Sequence, residues 1–216
     1  MSKLYPDSHV EIHGFMANHY DILLDAISLG LYRPFIRDAI DQIRIVPGDR
    51  ILVLGAGTGR NACLMMEHLG KTGFIQAFDV GDEMIRQFKH NCAQYDNVAI
   101  AKQRIDEEFE IDQTFDKVFI SFVLHGLPHA SRLKVLENAA KALKPGGTFH
   151  LLDWDPTIKE RNYFMRRGFS IVECPYATEF LVHDWDQLFK DAGFAFERQK
   201  QYFLKLVRIL TVRKIS

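Results

Sequence analysis

Between Met16 and Ile43, in MANHYDILLDAISLGLYRPFIRDAIDQI, apolar residues return every three or four positions, and Gly30 and Pro34 interrupt the run. The spacing predicts two helices. After VPGDR the period shortens: Ile51 to Leu54 is a run of four apolar residues, the mark of a buried strand, and it ends in Gly55, Gly57 and Gly59. Thr58 is placed to cap a helix running to about His68. GFIQAFDV then reads as strand, GDEMIRQFKHNCAQY as helix, NVAIAKQ and FDKVFISFV as strands, SRLKVLENAAKAL as helix and GGTFHLLDW as strand. Strands alternating with helices imply a parallel sheet covered on both faces. The end differs. DWDQLFKDAGF is a short helix, and AFERQKQYFLKLVRILTVRK reads as two strands joined so closely that they pair antiparallel.

The expected fold is therefore an α/β, doubly wound, Rossmann-like sheet, mostly parallel with an antiparallel last strand, in one domain. It divides into an N-terminal helical cap (1–45), a core (46–153), a substrate-side insert (154–183) and a C-terminal helix with a strand pair (184–216). In such sheets ligands lie beyond the carboxyl ends of the strands, and the first strand-to-helix turn commonly holds them. Gly55 to Gly59 is that turn. The dinucleotide fingerprint wants its third glycine at residue 60, where this chain has Arg60. A bulky residue there hampers close helix packing, which argues against NAD. The lysine and hydroxyl residue of a phosphate-binding P-loop are missing as well.

Composition narrows the field. Lys and Arg total 27 against 28 Asp and Glu in 216 residues, so the chain lacks the basic excess of a nucleic-acid binder. No stretch reaches the roughly 18 apolar residues of a membrane helix, and the start lacks a secretory pattern, so a soluble, cytoplasmic protein is expected. Cys63, Cys92 and Cys174 have no metal-like spacing and read as reduced thiols. His9 and His13, and His125 and His129, are spaced by four but lack an accompanying Glu, and no metal is expected.

ILVLGAGTGR, the acidic Asp79 closing the next strand, FDKVFISFVLHGLP and KALKPGGTFHLLD together resemble the successive motifs of class I S-adenosylmethionine-dependent methyltransferases, over residues 45 to 153. That family's sheet has seven strands, the last antiparallel. The resemblance implies that backbone at Gly55, Ala56, Gly57 and Gly59 approaches the methionine and ribose portions of S-adenosylmethionine. It further implies that Asp79 accepts both ribose hydroxyls and that Val80 and Met84 flank the adenine. Arg104 and Ile105 fall on the adenine's other face, and Ser121 and Phe122 line the sulfonium end. An ionised carboxylate suits a diol because it only accepts, with two oxygens. One position departs from the pattern: many members carry an acidic residue where this chain has Val53.

Upstream, YDILLDAISLGLYRPFIRDAI is similar to the N-terminal segment of the methyltransferases that C-methylate ubiquinone and menaquinone precursors, which implies that Tyr20 and Arg33 close the pocket. Residues 154 to 183, where that group selects its acceptor, match poorly. A small-molecule acceptor is expected, a quinol or phenol by this resemblance, with an amine or phospholipid head group as alternatives and a non-catalytic cofactor-binding module as another. A base is needed only where the acceptor must lose a proton. His125, Asp153, Asp155 and His19 are candidates by position, with Tyr20 beside them. Residues 157–170 mix Lys159, Arg161, Arg166 and Arg167 with aromatics, a composition suited either to an anionic lipid surface or to a lid.

Overall fold

The computed structural model describes residues 8, 30–111, 114–160 and 173–215. Helix α1 (Tyr32–Asp41) precedes β1 (Arg50–Leu54), and α2 (Arg60–Leu69), β2 (Phe74–Asp79), α3 (Asp82–Asn91) and β3 (Val98–Lys102) follow. Then come β4 (Phe115–Ser121), a 3-10 turn (Leu124–Gly126), α4 (His129–Ala142), β5 (Leu143–Trp154) and a second 3-10 turn (Pro156–Glu160). The chain ends in α5 (Pro175–Phe180), α6 (Trp185–Asp191), β6 (Phe194–Tyr202) and β7 (Val207–Lys214). Of the two N-terminal helices predicted, the second is α1; the first lies outside the described residues.

The seven strands of the described residues form one sheet in the order β3-β2-β1-β4-β5-β7-β6. Strands β1 to β5 run parallel, and β7 pairs antiparallel with both β5 and β6. The expected fold class is therefore observed.

Residues alternate between faces along each strand. Ile51 and Val53 of β1 join Ile75, Phe119 and Leu152 beneath α1, α2 and α3, whose Ile36, Met65 and Phe88 complete that layer. Leu52 and Leu54 face the other way with Val118, Ile120 and Leu151, under Leu136 of α4, Phe180 of α5 and Trp185 of α6. Burial on both faces explains why β1 reads as a continuous apolar run.

Two local expectations are corrected. Thr58 is not the cap of α2: that position belongs to Gly59, at φ +84, and no side chain caps the helix. Thr58 is buried, and its carbonyl accepts a bond from Asn91 Nδ2 at 2.9 Å. The cysteines also differ from three reduced thiols. Cys63 of α2 and Cys92, just past α3, are joined as a disulfide, with Cα atoms 5.9 Å apart, because the two helices lie side by side below the glycine loop. Cys174 is free and buried.

Gly59 is tightly enclosed. A Cβ there would lie 2.8 Å from the Phe88 ring and 3.1 Å from Cys92 Sγ, whereas one at Gly146, also at positive φ, would meet nothing within 4 Å. The left-handed backbone alone costs a non-glycine residue about 1–2 kcal/mol, and overpacking typically adds about 1–3 kcal/mol. Gly59→Ala is expected to destabilise the protein by about 2–5 kcal/mol and Gly146→Ala by about 1–2 kcal/mol, read from urea unfolding midpoints at unchanged slope.

Candidate functional site

β1 is flanked by β2 on one side and β4 on the other, so the chain reverses its direction of travel across the sheet at this pair. Turns leaving the carboxyl ends of β1 and β4 diverge there and leave a crevice. The glycine turn forms one wall. Gly55 has φ +68, and a Cβ on it would lie 2.6 Å from Val123 Cγ2, so only glycine lets the β1 turn pass the β4 turn this closely. Gly57, at φ +55, has nothing within 4 Å of where a Cβ would stand, which leaves its backbone open on that side.

Asp79, ending β2, joins this turn to the next. Its Oδ2 accepts from the Gly57 amide at 2.7 Å and its Oδ1 from the Gly81 amide at 2.8 Å. Ala56 N donates to the Phe78 carbonyl alongside, at 2.9 Å. Burial pushes the Asp79 carboxyl above the usual range against the opposing effect of these amides. Three amides face this carboxylate, those of Gly57, Gly81 and Val80, and they hold it in place at the end of β2.

Around the crevice, Val80 is half-buried and Met84 buried. Arg104 is held by Asp106, with Nε and Nη2 each 3.1 Å from its carboxylate, while Ile105 is buried in the core beside Phe78. Ser121 Oγ accepts from Asn61 Nδ2 at 3.0 Å, which ties the end of β4 to α2. Phe122 adopts a left-handed backbone (φ 52) and packs edge-on to Trp154 at 5.9 Å. Val53 is buried in the core and cannot replace the acidic residue that this chain lacks. Tyr20 and His19 lie outside the described residues, as do His9, His13 and residues 161–172. Arg33 is exposed on α1.

Two of the candidate proton-handling residues meet. His125 Nδ1 lies 2.6 Å from Asp153 Oδ1, and the His125 amide donates to Asp153 Oδ2 at 3.1 Å. Asp153 is fully buried and also accepts from the Trp154 amide at 2.8 Å. Burial works against the charged imidazolium, but Asp153, and Glu173 with its Oε2 3.7 Å from Nε2, outweigh it and hold the His125 pKa above its ordinary value. Asp155, by contrast, shapes a turn: it accepts from the Thr157 amide at 2.9 Å and from Gln201 Nε2 at 2.7 Å. His129 does not pair with His125; it stacks on His183 with ring centres 4.1 Å apart. Among the described residues no three His, Cys, Asp or Glu side chains are grouped to hold a metal ion.

Sequence reasoning missed Glu173, Asn61 and Arg132. Only Arg132 left a signal: it occupies the apolar stripe of α4 with Val135, Leu136 and Ala139, all buried, and it is itself fully buried.

The ubiE/COQ5 methyltransferase family model matches residues 6–189. The chain belongs to this family. Its relatives include a ubiquinone/menaquinone biosynthesis C-methyltransferase of Methylococcus capsulatus, 30% identical over 78% of this chain and 68% of the relative. One of the same name from Klebsiella pneumoniae is 28% identical over 79% and 68%. The fold matches a SAM-dependent methyltransferase from Aquifex aeolicus (TM-score 0.64, 20% identity, 83% of this chain and 89% of that one). It also matches the N-methyltransferase NodS from Bradyrhizobium japonicum in complex with S-adenosyl-L-homocysteine (0.62, 17%, 85% and 89%).

Family membership makes the chain an S-adenosylmethionine-dependent methyltransferase, and the crevice fits that cofactor. The open backbone at Gly57 and the carboxylate of Asp79 beside it suit a ribose-bearing ligand. Titration calorimetry is expected to give S-adenosylmethionine a roughly micromolar dissociation constant and NAD one at least tenfold weaker. Asp79→Ala, with its fold checked by circular dichroism, should weaken the cofactor by about one to three decades, from two lost charge-assisted bonds of about 1.5–3 kcal/mol each, only partly realised. Affinity should also fall on acidification sooner than an ordinary aspartate would allow, because the raised pKa protonates this acceptor at higher pH.

Proposed function

We propose that this methyltransferase C-methylates a flat, lipophilic quinol or phenol, with His125 as the base that takes the acceptor's hydroxyl proton. The observation that carries the reading is the His125–Asp153 pair, with its 2.6 Å contact, at the carboxyl ends of adjacent strands β4 and β5. The names of the relatives support the acceptor class. S-adenosylmethionine supplies an activated methyl group when bound. Gly55, Ala56, Gly57, Gly59, Asp79, Val80, Met84, Arg104, Ile105, Ser121 and Phe122 are the residues assigned to hold it.

The chain's own work is positioning, exclusion of water and proton handling. Asp153 accepts the His125 Nδ1 proton and so fixes the tautomer, leaving Nε2 as the basic nitrogen. A quinol attacks through carbon, and losing its hydroxyl proton to Nε2 raises the electron density at that carbon. Phe122 and Trp154, at the end of β4 and beside the His125 ring, give an aromatic acceptor apolar walls, and Phe180 is buried behind the imidazole. Tyr20 and residues 157–170 are assigned to cover the pocket, the latter also as a contact to anionic lipid.

A labelled-methyl assay across quinols, phenols, amines and phospholipids tests the acceptor; label reaching amines and never a quinol would overturn it. His125→Ala should lower turnover about a hundredfold with cofactor affinity within about threefold. The basic form exists above the pKa, so the rate should climb with pH through a midpoint above the ordinary 6.5. Asp153→Asn removes the main charge raising that pKa, and the midpoint should move down.

A further inference from the structure

Arg132 is a guanidinium with no exposed surface, and its bonds go to main-chain carbonyls from two separate parts of the chain. Nε donates to the Leu124 carbonyl at 3.2 Å, and Nη2 donates to the carbonyls of His125 at 3.1 Å and of Tyr176 at 2.5 Å. The first two belong to the 3-10 turn that carries His125; Tyr176 belongs to α5, which lies within the substrate-side segment. Phe180 of α5 lies under the guanidinium at 5.5 Å, and the same ring is edge-on to His125 at 6.5 Å. The remaining nitrogen, Nη1, makes no hydrogen bond among the described residues and stands 3.8 Å from Glu179.

A 3-10 turn of three residues is poorly bonded on its own; here Asp153 holds the His125 amide and ring, Ser8 Oγ donates to the Gly126 carbonyl at 2.6 Å, and Arg132 takes the carbonyls of Leu124 and His125. A planar fork of fixed donors can span two segments where an ammonium cannot. We propose that Arg132 is a positioning residue that fixes the His125 turn at the end of β4 and fastens α5 to it, so that the base and the helix packed behind it share one anchor. This rests on the reading of His125 as the base. The charged groups facing His125 are Asp153 from β5, Glu173 ahead of α5 and Arg132 from α4, with Arg208 of β7 directly opposite Asp153 in the sheet. Arg132 opposes protonation of His125, and the two carboxylates favour it.

Two variants of the whole chain separate geometry from charge. Arg132→Lys keeps the charge and loses the fork. It is expected to lower kcat about thirtyfold, with cofactor affinity within about twofold, since small misplacements of a reacting group cost on this order. In the cofactor-free protein its His125 imidazole resonances should shift while the NMR titration midpoint stays near the wild-type value. Arg132→Met loses both, and its midpoint should move up. Where the methionine variant does not fold, Arg132→Ala with millimolar guanidinium replaces it, and partial recovery of turnover is expected. Wild-type kcat and unshifted His125 resonances in Arg132→Lys would overturn the proposal. His125→Ala, measured in parallel, keeps the two ideas apart: full activity there removes the base reading, whereas the His125 resonances still report whether Arg132 holds the turn.

Discussion

Strand β1 sits between β2 and β4, and every feature of the site follows from that placement. The chain leaves β1 toward α2, on the face that also carries α1 and α3, then crosses to β4 and leaves toward α4 on the other face. Two turns starting side by side must therefore separate, and the space between them is built into the topology. Gly55 lets those turns begin close together, and Asp79 ties the first of them to its neighbour after β2. The crevice is thus rigid backbone held by amides, and side chains are added to a frame that already exists.

The second half of the site depends on charges kept out of water. Buried ions are costly unless each has a partner. Here Asp153 answers His125 directly and faces Arg208 across the β5–β7 ladder, while Arg132 answers carbonyls on two segments. The arrangement is mutual: a partner removed leaves the others buried without compensation. Such a cluster contributes little to stability compared with the apolar layers on either side of it, and it confines each member to one geometry.

Much of the frame was legible because strands and helices have different periods. The four apolar residues of β1, the glycines after them and the close antiparallel pair at the end are local patterns, and the sheet reproduces them. What was not legible has physical causes. Gly59 rather than Thr58 caps α2 because the turn requires a left-handed residue there, which propensity for side-chain caps does not report. Helix α5 is six residues long, too short for a helical period to show. The contact of Glu173 with His125 joins residues 48 apart and left no local trace, and Cys63 and Cys92 meet because two helices lie side by side. His125 and Asp153 were visible as strand-end positions, but their pairing depends on the register of β4 with β5.

Strand β7 lies between β5 and β6 although it follows both in the chain. During synthesis from the amino end, β6 emerges before β7 yet has no native neighbour to pair with. Meanwhile the edge of β5 stays open, with its amides and carbonyls offered to any passing strand. Only the insertion of β7 closes that edge and brings Arg208 opposite Asp153, 55 residues earlier in the sequence. Long-range pairings of this kind form late. The interval before insertion is when the nascent chain is most open to aggregation, and it is also when the polar side of the site is still unassembled.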